Sequence, residues 1–161
     1  MEIYLMQHGK AFSEVEDPKR SLTPEGKEEI SFSGRGIARL EIKFDLILCS
    51  TKQRALQTAE IVAKETGYPL EKIESSPRFD PLASVEEAIS YLASLKDRNR
   101  ILVVGHLPSL EKIASQLLSE TPVSIQFQMG SLCRIDIEGF PAGKAKLIWF
   151  LMPQHLRLIA E

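Results

Sequence analysis

Short runs of consecutive apolar residues alternate along this chain with longer stretches in which apolar positions recur at helical spacing. The continuous runs are Ile3-Tyr4-Leu5-Met6, Leu46-Ile47-Leu48-Cys49 and Ile101-Leu102-Val103-Val104. Runs of this kind, bounded by turn residues, read as strands buried on both faces, as in a parallel sheet. Between them, Leu22-Thr23-Pro24-Glu25 supplies a cap, a proline for the first helical position and an acid for the first turn, which predicts a helix to about Leu40. Gly26, Gly34 and Gly36 each weaken that helix by roughly 1 kcal/mol relative to alanine. Ala55, Ala59, Val62 and Ala63 mark a second helix from about Lys52 to Glu65, with Gly67 as its stop. Ser84-Val85-Glu86-Glu87 fits a capping box opening a helix to about Leu95. Leu110, Ile113, Ala114 and Leu117 share one face of a helix from about Pro108 to Leu118.

The connecting stretches complete the outline. Residues 11–21 are polar and read as an exposed loop, and residues 68–83, with Pro69, Pro77 and Pro81, as a loop with a short edge strand near 72–75. A turn at Glu120-Thr121-Pro122 leads into an expected strand at 123–128. Leu132 to Ile137 alternates as a half-exposed strand does, and a turn at 139–143 sends the chain back into a strand at 145–151. The order of elements predicts an α/β fold with a mostly parallel central sheet and an antiparallel C-terminal edge hairpin. No repeat or internal boundary interrupts residues 1–161, so a single domain is expected.

Composition narrows this only a little. A chain of 161 residues, 43% hydrophobic, can close its own core. A net charge of -2 gives no general pull toward nucleic acid or membrane, so any affinity for anions must be local. Neither a basic-then-apolar leader nor a run approaching the roughly 20 apolar residues of a membrane span is present, and a cytoplasmic location is expected. Cys49 and Cys133 sit in apolar runs and are expected to be buried free thiols.

The chemistry gathers at the strand ends. The first run opens into Gln7-His8-Gly9-Lys10, the second into Ser50-Thr51-Lys52-Gln53-Arg54, and the third into Gly105-His106-Leu107-Pro108. In a parallel sheet all three ends face one crevice, where open α/β sheets bind ligands. There two imidazoles, a guanidinium and helix N-terminal amides suit a phosphoryl group. His8 is placed as the nucleophile, Arg54 as a bidentate clamp and His106 as a donor to the transferring oxygens. For His8 to attack through one ring nitrogen, the other must keep its proton on a local acceptor, for which a backbone carbonyl is expected. Two rival chemistries use the same region. Cys49 before Arg54 is spaced one residue short of a cysteine-phosphatase loop and lacks its glycines. A metal site on His8 and His106 has no third ligand at metal spacing, since His155 lies in a late segment read as ordinary surface.

Together His8-Gly9, Arg20 ahead of Leu22-Thr23-Pro24-Glu25-Gly26, Ser50 to Arg54 with Ala55 and Gln57-Thr58-Ala59, and Val103-Val104-Gly105-His106-Leu107-Pro108 resemble the histidine phosphatase superfamily. Within this phosphoglycerate-mutase-like group they are most similar to the short SixA-type phosphohistidine phosphatases. The resemblance covers essentially the whole chain. It implies a three-layer α/β/α sandwich, no metal or other cofactor, a phosphohistidine intermediate on His8, and a phosphate pocket completed by Arg54 and His106, with Arg20 near its mouth. It also implies a phosphohistidine-bearing protein, such as a phosphotransfer domain, or a small phosphorylated substrate as partner.

Two positions depart from the family pattern. Gln7 stands where the family has arginine, and losing a charge-assisted donor to a dianion costs about 1.5–3 kcal/mol. Lys10 is the expected source of compensating charge, and the phosphate-binding set is therefore Gln7, His8, Lys10, Arg20, Arg54 and His106. Gln7 also keeps open a slow broad phosphomonoesterase or an impaired phosphate- or phosphoprotein-binding module. The proton donor of larger members has only Asp80, Glu86 and Glu87 as counterparts. Imidazole, with a conjugate-acid pKa of about 6.5, leaves with little acid assistance, so the weak match favours a phosphoramidate substrate.

Overall fold

The computed structural model describes residues 1–139 and 144–161. Its strands form one sheet in the order β3-β2-β4-β1-β5-β6: β1 is Glu2–Gln7, β2 Leu46–Cys49, β3 Glu74–Ser75, β4 Arg100–Gly105, β5 Leu132–Ile137 and β6 Ala145–Leu151. β1, β2, β3 and β4 run parallel, while β5 pairs antiparallel with β1 and β6 antiparallel with β5. The expected turn at 139–143 lies, apart from Gly139, outside the described residues.

The continuous apolar runs are explained by cover on both faces. Ile3, Leu5, Ile101 and Val103 point into one core with α3 (Val85–Ser94) and α4 (Ser109–Leu118). Tyr4, Met6, Leu102 and Val104 point into the other, against α1 (Pro24–Arg39), α2 (Gln53–Thr66) and α5 (Pro153–Ala160). The result is a three-layer α/β/α sandwich. Cys49 and Cys133 are buried and free, on opposite faces of the sheet.

The glycines of α1 trade propensity for proximity. A Cβ on Gly26 would run into the Lys10 carbonyl oxygen, and one on Gly36 into the Leu156 carbonyl oxygen. Bare backbone at these points lets α1 lie directly on the turn after β1 and on α5.

Two expectations need correction. Residues 123–128 form no strand, because other groups take their amides: Val123 N donates to Ser115 Oγ, Ile125 N to Glu111 Oε1 and Gln128 N to Ser131 Oγ. The segment plugs the core instead, with the Phe127 ring edge-on to Phe150 at 5.0 Å. The late segment expected to be exposed forms α5, opened by Pro153 and anchored by buried Leu156. His155 is exposed, and its Nδ1 accepts the Met152 amide at the start of that helix.

Candidate active site

Sheet register brings the three strand ends level. Gln7 pairs with Gly105 and Cys49 with Val104, and the ladder runs one step further as His8 N donates to Gly105 O and Ser50 N to Val104 O. His8, Ser50 and His106 therefore leave the sheet side by side. α2 and α4 begin here without a side-chain cap, whereas α1 and α3 are capped by Thr23 and Ser84. Uncapped first turns leave amide donors and the positive helix ends available at the rim.

The imidazoles of His8 and His106 lie 4.8 Å apart, centre to centre, and both residues are buried. His8 Nδ1 donates to the Gly9 carbonyl at 2.7 Å, the backbone acceptor that a nucleophilic histidine requires. Its Nε2 thus carries a lone pair, which accepts the Arg54 Nε–H at 3.2 Å. The turn is braced by Thr58 on the second turn of α2: its Oγ1 accepts the Gly9 amide at 3.1 Å and donates to the Arg54 carbonyl at 2.7 Å. Burial above all, with the charges of Arg54 and Arg20 adding to it against the opposing Gly9 carbonyl, presses the His8 pKa to about 4. The ring is neutral at pH 7, and its Nε2 lone pair, held by Arg54 in the free protein, becomes the nucleophile once the guanidinium turns to a bound phosphoryl group.

His106 is held from its other nitrogen. Its Nε2 lies 2.8 Å from Ser50 Oγ, which in turn lies 2.7 Å from Asp80 Oδ1. Burial, then His8 and Arg54, push its pKa to about 3, against the opposing pull of Asp80. Its Nδ1 is buried with no partner, as is Gln7 Oε1. Among the described residues these are the buried side-chain polar atoms left unpaired, and both belong to the strand ends that form the site.

The other expected members divide. Arg54 is buried, and no carboxylate among the described residues lies within ion-pair distance of it. Arg20, in a left-handed conformation (φ 51°), rests its Nε on the Phe12 carbonyl and contributes positive charge at both His8 and Arg54. Lys10 lines a cleft of about 350 Å³ with Glu25, Glu28, Glu29 and Arg157, and its positive charge acts on Glu16, Glu25 and Glu29.

The acid candidates are also sorted by their contacts. Asp80 accepts from Ser50 Oγ, Thr51 N and Thr51 Oγ1 and pairs with Lys52 at 3.6 Å. Against the cost of burial, these bonds hold its carboxyl below the usual range, so it is ionised and is not a proton donor. Glu86 accepts from Ser84 Oγ at the exposed start of α3, and Glu87 is exposed beside it. The thiol of Cys49 is pushed up to about 12, chiefly by burial and then by Glu60 and Asp80, which removes the cysteine-nucleophile reading. No group of three or more possible metal ligands occurs among the described residues, and no helix there is long and apolar enough to cross a membrane.

Comparison with known proteins finds phosphatases among the relatives of this chain. Residues 3–81 match the family model described as histidine phosphatase superfamily (branch 1). The structure of the protein histidine phosphatase SixA complexed with tungstate superposes with a TM-score of 0.86 at 26% identity, covering 97% of this chain and 99% of that one. The alpha-ribazole phosphatase of Shigella flexneri shares the fold, with a TM-score of 0.70 at 20% identity over 91% of this chain and 94% of its own. The mitochondrial serine/threonine-protein phosphatase Pgam5 of Drosophila ananassae is 36% identical over 72 residues, 44% of this chain. The chain spans about a quarter (25%) of the length of that relative.

Proposed function

Because the chain belongs to the histidine phosphatase superfamily, we propose that it is a phosphatase in which His8 Nε2 takes the phosphoryl group and water then releases it. The observation that carries this reading is the state of His8: a neutral ring with Nδ1–H fixed on Gly9 O and the Nε2 lone pair beside the Arg54 guanidinium. In the reaction the lone pair attacks phosphorus in line and the P–N or P–O bond of the substrate breaks. Arg54 and the amides of α2 and α4 balance the charge on the three equatorial oxygens. Arg20 adds positive charge at the mouth.

A protein phosphohistidine is the substrate class that fits best. Asp80 is held by its donors and Glu86 and Glu87 stand at the exposed start of α3, so none of the three is placed as a proton donor, and imidazole is the leaving group that tolerates this, with a conjugate-acid pKa of about 6.5. The similarity to SixA supports the same choice. Gln7 supports a second reading, a phosphoprotein-binding module, because a neutral amide stands where a guanidinium would stabilise the transferring group.

Mixing the protein with a histidine-phosphorylated protein carrying a labelled phosphoryl group, followed by rapid quenching, tests the first reading. Turnover with acid-labile label trapped on wild type and absent from His8→Ala is expected. Binding of the phosphoprotein without turnover would establish the module instead. Faster hydrolysis of an aryl phosphate than of the phosphohistidine protein would overturn the substrate class.

A further inference from the structure

Ser50 and Asp80 decide the tautomer of His106. Ser50 Oγ has one hydrogen and accepts the Lys52 amide at 3.1 Å. Asp80, ionised and surrounded by donors, can only accept, so the serine hydrogen points to its Oδ1 at 2.7 Å. The oxygen facing His106 Nε2 at 2.8 Å is therefore an acceptor, and Nε2 must carry the ring proton. That leaves Nδ1 as a bare lone pair, buried and unpartnered, on a ring whose centre lies 4.8 Å from that of His8.

A lone pair is the wrong group to meet an oxyanion. Acceptor against acceptor repels, and Gln7 Oε1, on the strand paired with the one that leads into His106, is a second buried acceptor without a partner. One proton on Nδ1 turns the repulsion into a charge-assisted hydrogen bond. We propose that Asp80, acting through Ser50, is a positioning residue that holds His106 as the Nε2–H tautomer, so that an oxyanion enters this site together with a proton taken up on His106 Nδ1. The inference rests on the phosphoryl-binding reading given above and adds a role for two residues outside the reacting set.

The charged and titratable groups facing His106 are His8, Arg54, Asp80 and Lys52. In the free protein burial, then His8 and the cations, keep Nδ1 unprotonated, while Asp80 opposes them. A bound dianion adds its charge to the side of Asp80 and raises the affinity of the ring for a proton. His8 is the other possible acceptor, through Nε2, and the Ser50–Asp80 link does not reach it.

Tungstate is a suitable probe, since at pH 8 it is a dianion carrying no proton of its own. Titration calorimetry in two buffers of different ionisation heat reads the protons taken up per anion bound. Wild type is expected to take up about one proton, with affinity rising about tenfold per unit of falling pH. The nitrogen NMR signal of His106 Nδ1 should move on binding from the lone-pair to the N–H type. Ser50→Ala and Asp80→Ala free the ring to present Nδ1–H without uptake, so both should bind with close to no proton and a flat pH profile. Tungstate binding to wild type with no proton uptake overturns the inference and leaves the phosphoryl site standing. Uptake that persists in both variants overturns the positioning role, because the proton then enters without the Ser50–Asp80 link. A wild type that does not bind tungstate removes the phosphoryl-site reading itself and the inference with it.

Discussion

The ends of β1 and β4 present the same side chain from paired parallel strands, yet they turn opposite nitrogens to the site. At the β1 end His8 spends Nδ1 on the Gly9 carbonyl and keeps Nε2 for chemistry. At the β4 end His106 spends Nε2 on Ser50 and keeps Nδ1. The strand positions the ring, and the nearest hydrogen-bond partner decides what the ring can do. A carbonyl beside His8 makes a nucleophile, whereas a serine tied to a carboxylate beside His106 makes a seat for a proton.

Mutations can break that contrast at either end. Replacing His106 with alanine removes a group that faces the transferring oxygens, and turnover of a phosphohistidine protein should fall by about 10²–10³-fold. A loss of less than about threefold would mean that His106 takes no part. Gln7→Arg restores a charged donor at the β1 end, and kcat/KM for an aryl phosphate should rise by about 10–100-fold. An unchanged or lower value would show that the amide is not what limits ester hydrolysis.

Acid titration sharpens the contrast through stability. Burial holds His8 at about 4 and His106 at about 3, both below the value of about 6.5 for an imidazole in the unfolded chain. The unfolded chain therefore binds the protons first, so stability is fully present above about pH 6.5 and declines as pH falls toward those folded values. Each imidazole contributes a slope of about 1.4 kcal/mol per pH unit within that window. Urea midpoints between pH 7 and pH 5 should drop for wild type and drop less for His106→Gln. Equal slopes would contradict a neutral, buried His106. The smallest effect belongs to Lys10→Ala, which should change turnover by less than about twofold, since that residue lines a cleft with Glu25, Glu28 and Glu29. A tenfold loss would return Lys10 to the phosphate site.

Much of this was legible in the sequence because the central strands are covered on both faces and so appear as unbroken apolar runs. The level of the three strand ends followed from parallel pairing, which placed His8, Arg54 and His106 together. Residues 123–128 misled because, of their β-like apolar residues, Phe127 plugs the core while Val123 is exposed, with the amides of the segment taken by side chains of α4 and by Ser131. α5 was hidden because its one deeply buried residue after Pro153, Leu156, makes sense only once Gly36 opens the surface of α1. The Ser50–Asp80 link joins residues 30 apart in sequence, across a proline-rich loop, and no spacing signals it. Asp80 was noticed as a candidate acid, but the donors around it make it an anchor.

The central claim is that His8 reacts through Nε2, and the position of the phosphoryl group on the trapped protein tests it most directly. Phosphorus NMR of the rapidly quenched phosphoenzyme, with peptide mapping, should find the Nε2 isomer of phosphohistidine at residue 8. The Nδ1 isomer, or phosphate carried on His106 in its place, would contradict the account.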